Sequence, residues 1–260
     1  MTTVLLIRHG RTSANTAGVL AGRSSGVELD EVGRTQVKAV GERLAKVPLV
    51  ALVSSPLRRC RQTSQALLAA REDGLDVTVE QGVTECGYGD WTGKALRDLA
   101  KEDLWKTVQT HPSHVRFPNG ESMTEMSSRA VQAVRRWDAQ IAASHGDHAV
   151  WAVVSHGDPI KAILADALGL HLDQFQRIMV DPASLSIIRY TATRPYVVTT
   201  NSTNVDLGAL LSPPPKDTSR SEDAAVGGGL GAGGQAADEG GDQDAQPAPA
   251  DAAAAPPATV

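Results

Sequence analysis

The chain has 260 residues, 41% of them hydrophobic, and a formal net charge of −5, enough apolar material for a sizeable core in one large domain or two small ones. Residues 212–260 hold eight acids against Lys216 and Arg220, so residues 1–211 lie near neutrality and nothing chain-wide favours nucleic acid or an anionic membrane. The two cysteines, Cys60 and Cys86, form no CxxC and no His/Cys cluster at zinc spacing, which argues against a disulfide framework or a structural metal and fits a reducing cytoplasm.

The N-terminal apolar run Val4–Ile7 is too short for a signal peptide or a membrane span and reads as a buried strand. Asp30 stands as a helix cap ahead of Val32, Val37, Val40 and Leu44, whose spacing predicts a helix over 30–46. Val50–Val53 is a second buried strand, and 57–70 a second helix. Residues 85–120 are rich in Gly, Trp, Asp and His, with short helical stretches such as Lys94–Leu99, and read as a long excursion from the sheet that serves as a binding loop or lid. Ser122, followed by Glu125, opens a helix over 122–144 with a capping box. Ala149–Val154 is the third buried strand, 159–168 a further helix, and Leu185–Tyr190 with Tyr196–Thr200 a terminal hairpin, itself a candidate for pairing across a homodimer axis. Strands separated by helices predict a three-layer α/β/α sandwich with a mostly parallel central sheet, occupying residues 1–204. Residues 205–260 begin as a linker and become an acidic Gly/Ala/Pro-rich tail, expected to be disordered because it has almost no large apolar side chains to offset its ordering entropy.

In an open parallel sheet, ligands bind beyond the carboxyl ends of the strands. Here those ends read Arg8-His9-Gly10-Arg11-Thr12, Ser54-Ser55-Pro56-Leu57-Arg58-Arg59 and Ser155-His156-Gly157-Asp158, so two histidines and several arginines converge on one edge. The glycines after each histidine fit a backbone that turns sharply or approaches a ligand. A neutral imidazole can attack phosphorus, and arginine forks match phosphate oxygens. Glu85 is the candidate proton donor to the leaving oxygen, with Asp90 and Asp158 as rival carboxylates at the same edge. Trp91 and Tyr88 read as packing residues, His111 and His114 as loop residues incidental to the site, and Cys60 and Cys86 as packing.

Arg8-His9-Gly10 with Thr12 and Asn15, then Ser55 to Thr63, Glu85 with Gly89-Asp90-Trp91-Thr92-Gly93, Phe117-Pro118-Asn119-Gly120-Glu121-Ser122, and Ser155-His156-Gly157 resemble, in that order, the motifs of histidine phosphatases and cofactor-dependent phosphoglycerate mutases over about residues 3–202. The resemblance implies a phosphoglycerate mutase-like fold. It implies that His9 is the nucleophile that becomes phosphohistidine, and that Glu85 is general acid and then base. Arg8, Arg59 and His156 hold the phosphoryl oxygens, with Asn15 and Gly157 adding polar contacts and Arg58 at the rim. His156 is then cationic or a donor once phosphate is bound. The family's acid phosphatase branch places an Asp directly after the second histidine; here Gly157 intervenes before Asp158, so this chain resembles the branch that uses Glu85.

The reading is a cytoplasmic phosphomonoesterase for a small phosphorylated metabolite, with no cofactor, metal, nucleic acid or membrane. Sugar phosphates, phosphoglycerates and phosphoserine-like molecules are all candidates. The alternatives are a mutase-type phosphoryl isomerase, disfavoured by the compact 85–117 segment and its few basic groups, and a weakly active phospho-ligand-binding protein, disfavoured because His9, Arg8, Arg59, Glu85 and His156 are all present.

Overall fold

The central strands carry apolar residues on both sides of their pleat, so each face of the sheet must be covered. The structure, a computed structural model, describes residues 1–204; the tail read at 205–260 lies outside them. Six strands, β1 (Thr2–Arg8), β2 (Leu49–Ser54), β3 (Val77–Val79), β4 (Val150–Ser155), β5 (Leu185–Tyr190) and β6 (Pro195–Ser202), form one sheet in the order β3-β2-β4-β1-β5-β6. The pairings among β1, β2, β3 and β4 are parallel, while β5 and β6 run antiparallel at one edge, giving the mostly parallel sheet expected.

Period-two alternation sorts the core into two layers. Val4, Leu6, Val53, Trp151 and Val153 face one cluster, packed beneath α6 (Met123–His145) and α7 (Gly157–Leu168). Leu5, Ile7, Leu52, Ala152 and Val154 face the other, beneath α2 (Glu31–Leu44) and α3 (Arg58–Ala69). One-turn α1 (Ser13–Thr16) follows β1. The caps read from sequence are present: Asp30 accepts from Gly33 N at 2.7 Å, and Ser122 and Glu125 exchange bonds with each other's backbone amides at 3.1 and 2.9 Å, each cap contributing about 1 kcal/mol.

The segment between β3 and α6 departs from expectation. Besides α4 (Leu96–Leu99) it contains a two-turn helix, α5 (Asp103–Thr110), and it is no open loop: Tyr88, Trp91, Leu99, Val108, Val115 and Phe117 are all buried in the core shared with α6. Short β3 was also not anticipated; it is a three-residue edge strand with two of its residues exposed, too little for an alternating pattern. Among the described residues no helix is long and apolar enough to cross a membrane.

Candidate active site

Strand register assembles the site. Arg8 lies beside Ser155 and Ser54 beside Val154, so the residues that follow β1, β2 and β4 emerge side by side at one sheet edge. His9, His156 and Arg59 are all buried there, with the two imidazole rings 5.2 Å apart and edge to face. Packing from behind requires Gly10: a Cβ would stand 2.7 Å from both the Gly33 carbonyl and Val37 on α2.

Hydrogen-bond partners fix the protonation of both rings. His9 Nδ1 lies 2.7 Å from the Gly10 carbonyl, which can only accept, so Nδ1 carries the proton. Arg59 Nε–H donates to His9 Nε2 at 3.2 Å, and since a guanidinium can only donate, Nε2 presents a lone pair. Burial, then the charges of Arg59 and Arg8, hold the His9 imidazole well below the usual histidine range, so the ring is neutral at physiological pH. His156 follows the same logic. Arg59 Nη2 donates to its Nδ1 at 3.1 Å, leaving Nε2–H to donate to Ser55 Oγ at 2.7 Å, and burial with the Arg59 charge again depresses the pKa. His156 is therefore neutral, accepting at Nδ1 and donating at Nε2.

Arg59 is held by the Gly22 carbonyl at 2.7 Å, and its Nη1 is buried with no hydrogen-bond partner. Gly22 has φ +48°, and a Cβ there would meet Tyr88 at 2.9 Å, so this turn favours glycine. Arg8, fully buried, donates through Nη1 to the Val180 carbonyl at 2.7 Å, and its charge reaches His9 and Glu85. His156 is the N-cap of α7 and makes no side-chain cap bond, so the first amides of that helix, Gly157 among them, have no capping side chain on the edge that holds the rings. Asn15 is half-buried, its amide oxygen occupied by Thr12 N (3.0 Å) and Thr12 Oγ1 (2.8 Å).

Glu85 is buried, with Oε1 accepting from Cys86 N at 2.9 Å. Burial and the neighbouring Asp158 charge, against the opposing pull of Arg59 and Arg8, push its carboxyl up to about 8, so it carries a proton at neutral pH. Its backbone is gripped from outside the segment. Arg129 on α6 donates to the carbonyls of Gly82 (2.7 Å), Thr84 (2.6 Å) and Glu85 (3.0 Å) and pairs with Glu121 at 2.6 Å. Arg23 adds a bond to the Glu85 carbonyl at 2.8 Å and one to Glu121 at 2.9 Å.

Residues 4–203 match the description of the histidine phosphatase superfamily, branch 1. The chain belongs to this superfamily. A bifunctional protein of Mycobacterium tuberculosis, Rv2228c, is 35% identical over 197 residues, covering 74% of this chain and 51% of the relative, so the chain spans about half that relative's length. Phosphoserine phosphatase 1 of Hydrogenobacter thermophilus is 30% identical over 78% of this chain and 93% of its own. The mycobacterial glucosyl-3-phosphoglycerate phosphatase Rv2419c, solved with VO3, superposes with a TM-score of 0.68 at 27% identity over 77% of this chain and 99% of that one.

Within this histidine phosphatase superfamily member, most of the other residues singled out from sequence make contacts away from the two rings, Cys60 excepted. Arg58 is 61% exposed and pairs with Glu28 at 3.0 Å. Asp90 is exposed and accepts from Asn119, whereas Glu85 is buried. His111 and His114 are exposed and contact each other and their neighbours. Trp91 packs against Phe117 and Trp105. Cys60 lies 3.4 Å from His156 Nε2, with burial pushing its thiol up to about 12, which leaves it unreactive. Tyr88 was expected only to pack, yet its hydroxyl donates to buried Asp158 at 2.7 Å. Ser55, Gly22, Arg129, Glu121 and Arg23 carried no assigned role from sequence; their contacts are long-range, and Ser55 and Glu121 were visible only as members of motifs.

Proposed function

We propose that this chain is a cytoplasmic phosphomonoesterase that hydrolyses a small phosphorylated metabolite in two steps through phospho-His9. The observation that carries this reading is the His9 ring: proton on Nδ1 toward Gly10 and lone pair on Nε2, beside a carboxyl that is protonated at neutral pH.

In the first step the Nε2 lone pair attacks phosphorus, the P–O ester bond breaks, and the Glu85 proton passes to the leaving oxygen, releasing an alcohol and leaving Glu85 as carboxylate. In the second, Glu85 takes a proton from water, the water oxygen attacks phosphorus, and the N–P bond breaks to restore neutral His9, protonated Glu85 and free phosphate. Arg59 moves its donors from the two imidazoles to the phosphoryl oxygens, where its unpartnered Nη1 gains an acceptor. Arg8 adds positive charge, Gly157 its helix-start amide, and Asn15 the amide NH2 left over from the Thr12 cap. A phosphate dianion beside His156 favours its protonated, donating form. Fixed cations aimed at the transferring group supply the electrostatic stabilisation the step requires.

Hydrolysis is favoured over phosphoryl isomerisation by the disposition of the excursion's basic groups. Lys94, Arg97, Lys101, Lys106 and Arg116 are all exposed, with Lys101 paired to Asp98 and Arg116 to Glu125. The test is phosphate release from a panel of phosphorylated metabolites in EDTA by the parent and by His9→Ala. Release by the parent, abolished in the variant, supports the reading; isomerised ester without net phosphate contradicts it.

A further inference from the structure

Arg59 donates to both imidazoles in the ligand-free site, and phosphoryl transfer takes those donors away to the phosphoryl oxygens. His156 then loses the partner of its Nδ1, and its ring needs another hold to stay aimed. Among the described residues the ring's other hydrogen-bond partners are Ser55 Oγ, 2.7 Å from Nε2, and the Cys60 sulfur, 3.4 Å from Nε2 and 3.8 Å from Nδ1. Sulfur is a weak acceptor, and the Cys60 thiol donates to the Ser155 carbonyl at 3.4 Å. Ser55 is therefore the strong acceptor for Nε2–H. The fold holds it in turn: Ser55 directly follows β2, its amide donates to the carbonyl of Val154 at 2.9 Å, two residues before His156, and its Oγ accepts from Leu57 N at 3.4 Å as α3 begins. Ser55, Cys60 and His156 are all fully buried, so bulk water does not reach the bond.

We propose that Ser55 is a positioning residue for phosphoryl transfer: its hydroxyl anchors His156 Nε2–H, so that Nδ1 stays turned to the phosphoryl site when Arg59 leaves it. The inference rests on His156 holding a phosphoryl oxygen and deepens that reading. An imidazole held only by a movable guanidinium is free to turn about its Cβ–Cγ bond once that guanidinium departs. A half-turn would bring carbon Cδ2 to the place of Nδ1 and carbon Cε1 to the place of Nε2, leaving Ser55 Oγ without its donor and the phosphoryl group without a nitrogen. The buried Ser55 bond opposes that turn, because a buried N–H stripped of its acceptor is costly. The same bond serves the neutral and the protonated ring alike, since Nε2 carries its proton in both. Arg59 and Ser55 thus hold opposite nitrogens of one ring, the first by a bond that is exchanged for substrate and the second by a bond that persists.

The test is a double-mutant cycle in the full chain with Ser55→Ala, His156→Ala and the two combined, read as kcat/KM on p-nitrophenyl phosphate. This ester loses its leaving group as a stable anion and, unlike glycerol phosphate, makes little demand on the Glu85 proton. Ser55→Ala lowers kcat/KM by about 10-fold. In the His156→Ala background the same change costs less than about 2-fold, because a residue that acts through the ring has nothing left to hold. Equal losses in both backgrounds, or no loss in Ser55→Ala, would overturn the proposal. Where turnover of His156→Ala is too slow to follow, orthovanadate affinity by calorimetry closes the same cycle. Should Ser55→Ala fail to fold, 15N-labelled histidine in the parent decides, with His156 assigned by its loss in His156→Ala. The ring keeps its proton on Nε2 both free and with inorganic phosphate bound; an Nε2–H that is lost when phosphate binds would overturn the anchor. A parent that shows the anchored ring and binds phosphate but releases none from any ester fails the phosphatase reading and leaves the anchor standing, whereas an active parent with equal losses in both backgrounds fails the anchor alone.

Discussion

The carboxyl ends of β1, β2 and β4 and the excursion around Glu85 contribute to one site by opposite means. At the strand ends, His9, Ser55 and His156 follow directly from central strands whose register is fixed within the buried part of the sheet, and the decisive bonds, His9 to Gly10 and His156 to Ser55, involve neighbours in chain or sheet. Around Glu85 no regular element sets the geometry. Glu85 is placed by Arg129 gripping three carbonyls and by the Glu121 carboxylate between Arg129 and Arg23. His9 is positioned by the fold itself and Glu85 by a few charge-assisted bonds, so the two should respond differently to substitution.

The largest effect is expected at His9: His9→Ala removes the ring that presents an Nε2 lone pair to Arg59, and on the proposed mechanism kcat should drop on the order of 10⁴-fold or more, measured as phosphate release. Next is Glu85→Gln, which lowers kcat by about 10²–10⁴-fold on glycerol phosphate and by far less on p-nitrophenyl phosphate. Arg129→Ala releases the backbone of Glu85; on the proposed mechanism kcat should fall by about 10–100-fold at nearly constant KM, and a loss confined to KM would contradict the positioning role.

Stability against pH sharpens the same comparison. Glu85 is raised from 4.5 to about 8, so the folded state holds a proton there that the unfolded chain releases above its own pKa. This contribution is full below about pH 4.5 and is lost as pH rises toward 8. The Tm difference between Glu85→Gln and the parent should therefore grow in favour of the variant from pH 5 to 8. His9 and His156 are shifted the other way, and their contribution is present above about pH 6.5 and lost as pH falls. The smallest effect is that of Ser122→Ala, which removes a cap at the far end of the excursion and costs about 1 kcal/mol by denaturant unfolding with kcat retained.

The same contrast governs what the sequence reveals. The apolar runs Val4–Ile7 and Ala149–Val154, the Asp30 cap and the Ser122 box are local signals, and from signals of this kind five of the six strands and the four main helices could be read. His9 and His156 were legible because each follows such a run directly. Helix α5 was hidden by its polar, Trp-containing sequence, and β3 by its length. The Tyr88–Asp158 bond and the Arg129 clamp join residues far apart in the chain, and no spacing rule announces them. The tautomers of the two histidines were likewise out of reach, because they depend on where Arg59 places its nitrogens.

The central claim is that the Nε2 lone pair of His9 attacks phosphorus. Acid-sensitive, base-stable phosphoryl label should be trapped by rapid quench during turnover with EDTA present, mapped to His9 and identified as the Nε2 isomer by 31P NMR. Such a label, absent in His9→Ala, is the result predicted; sustained phosphate release with no label on His9, or with the variant as active as the parent, would contradict it.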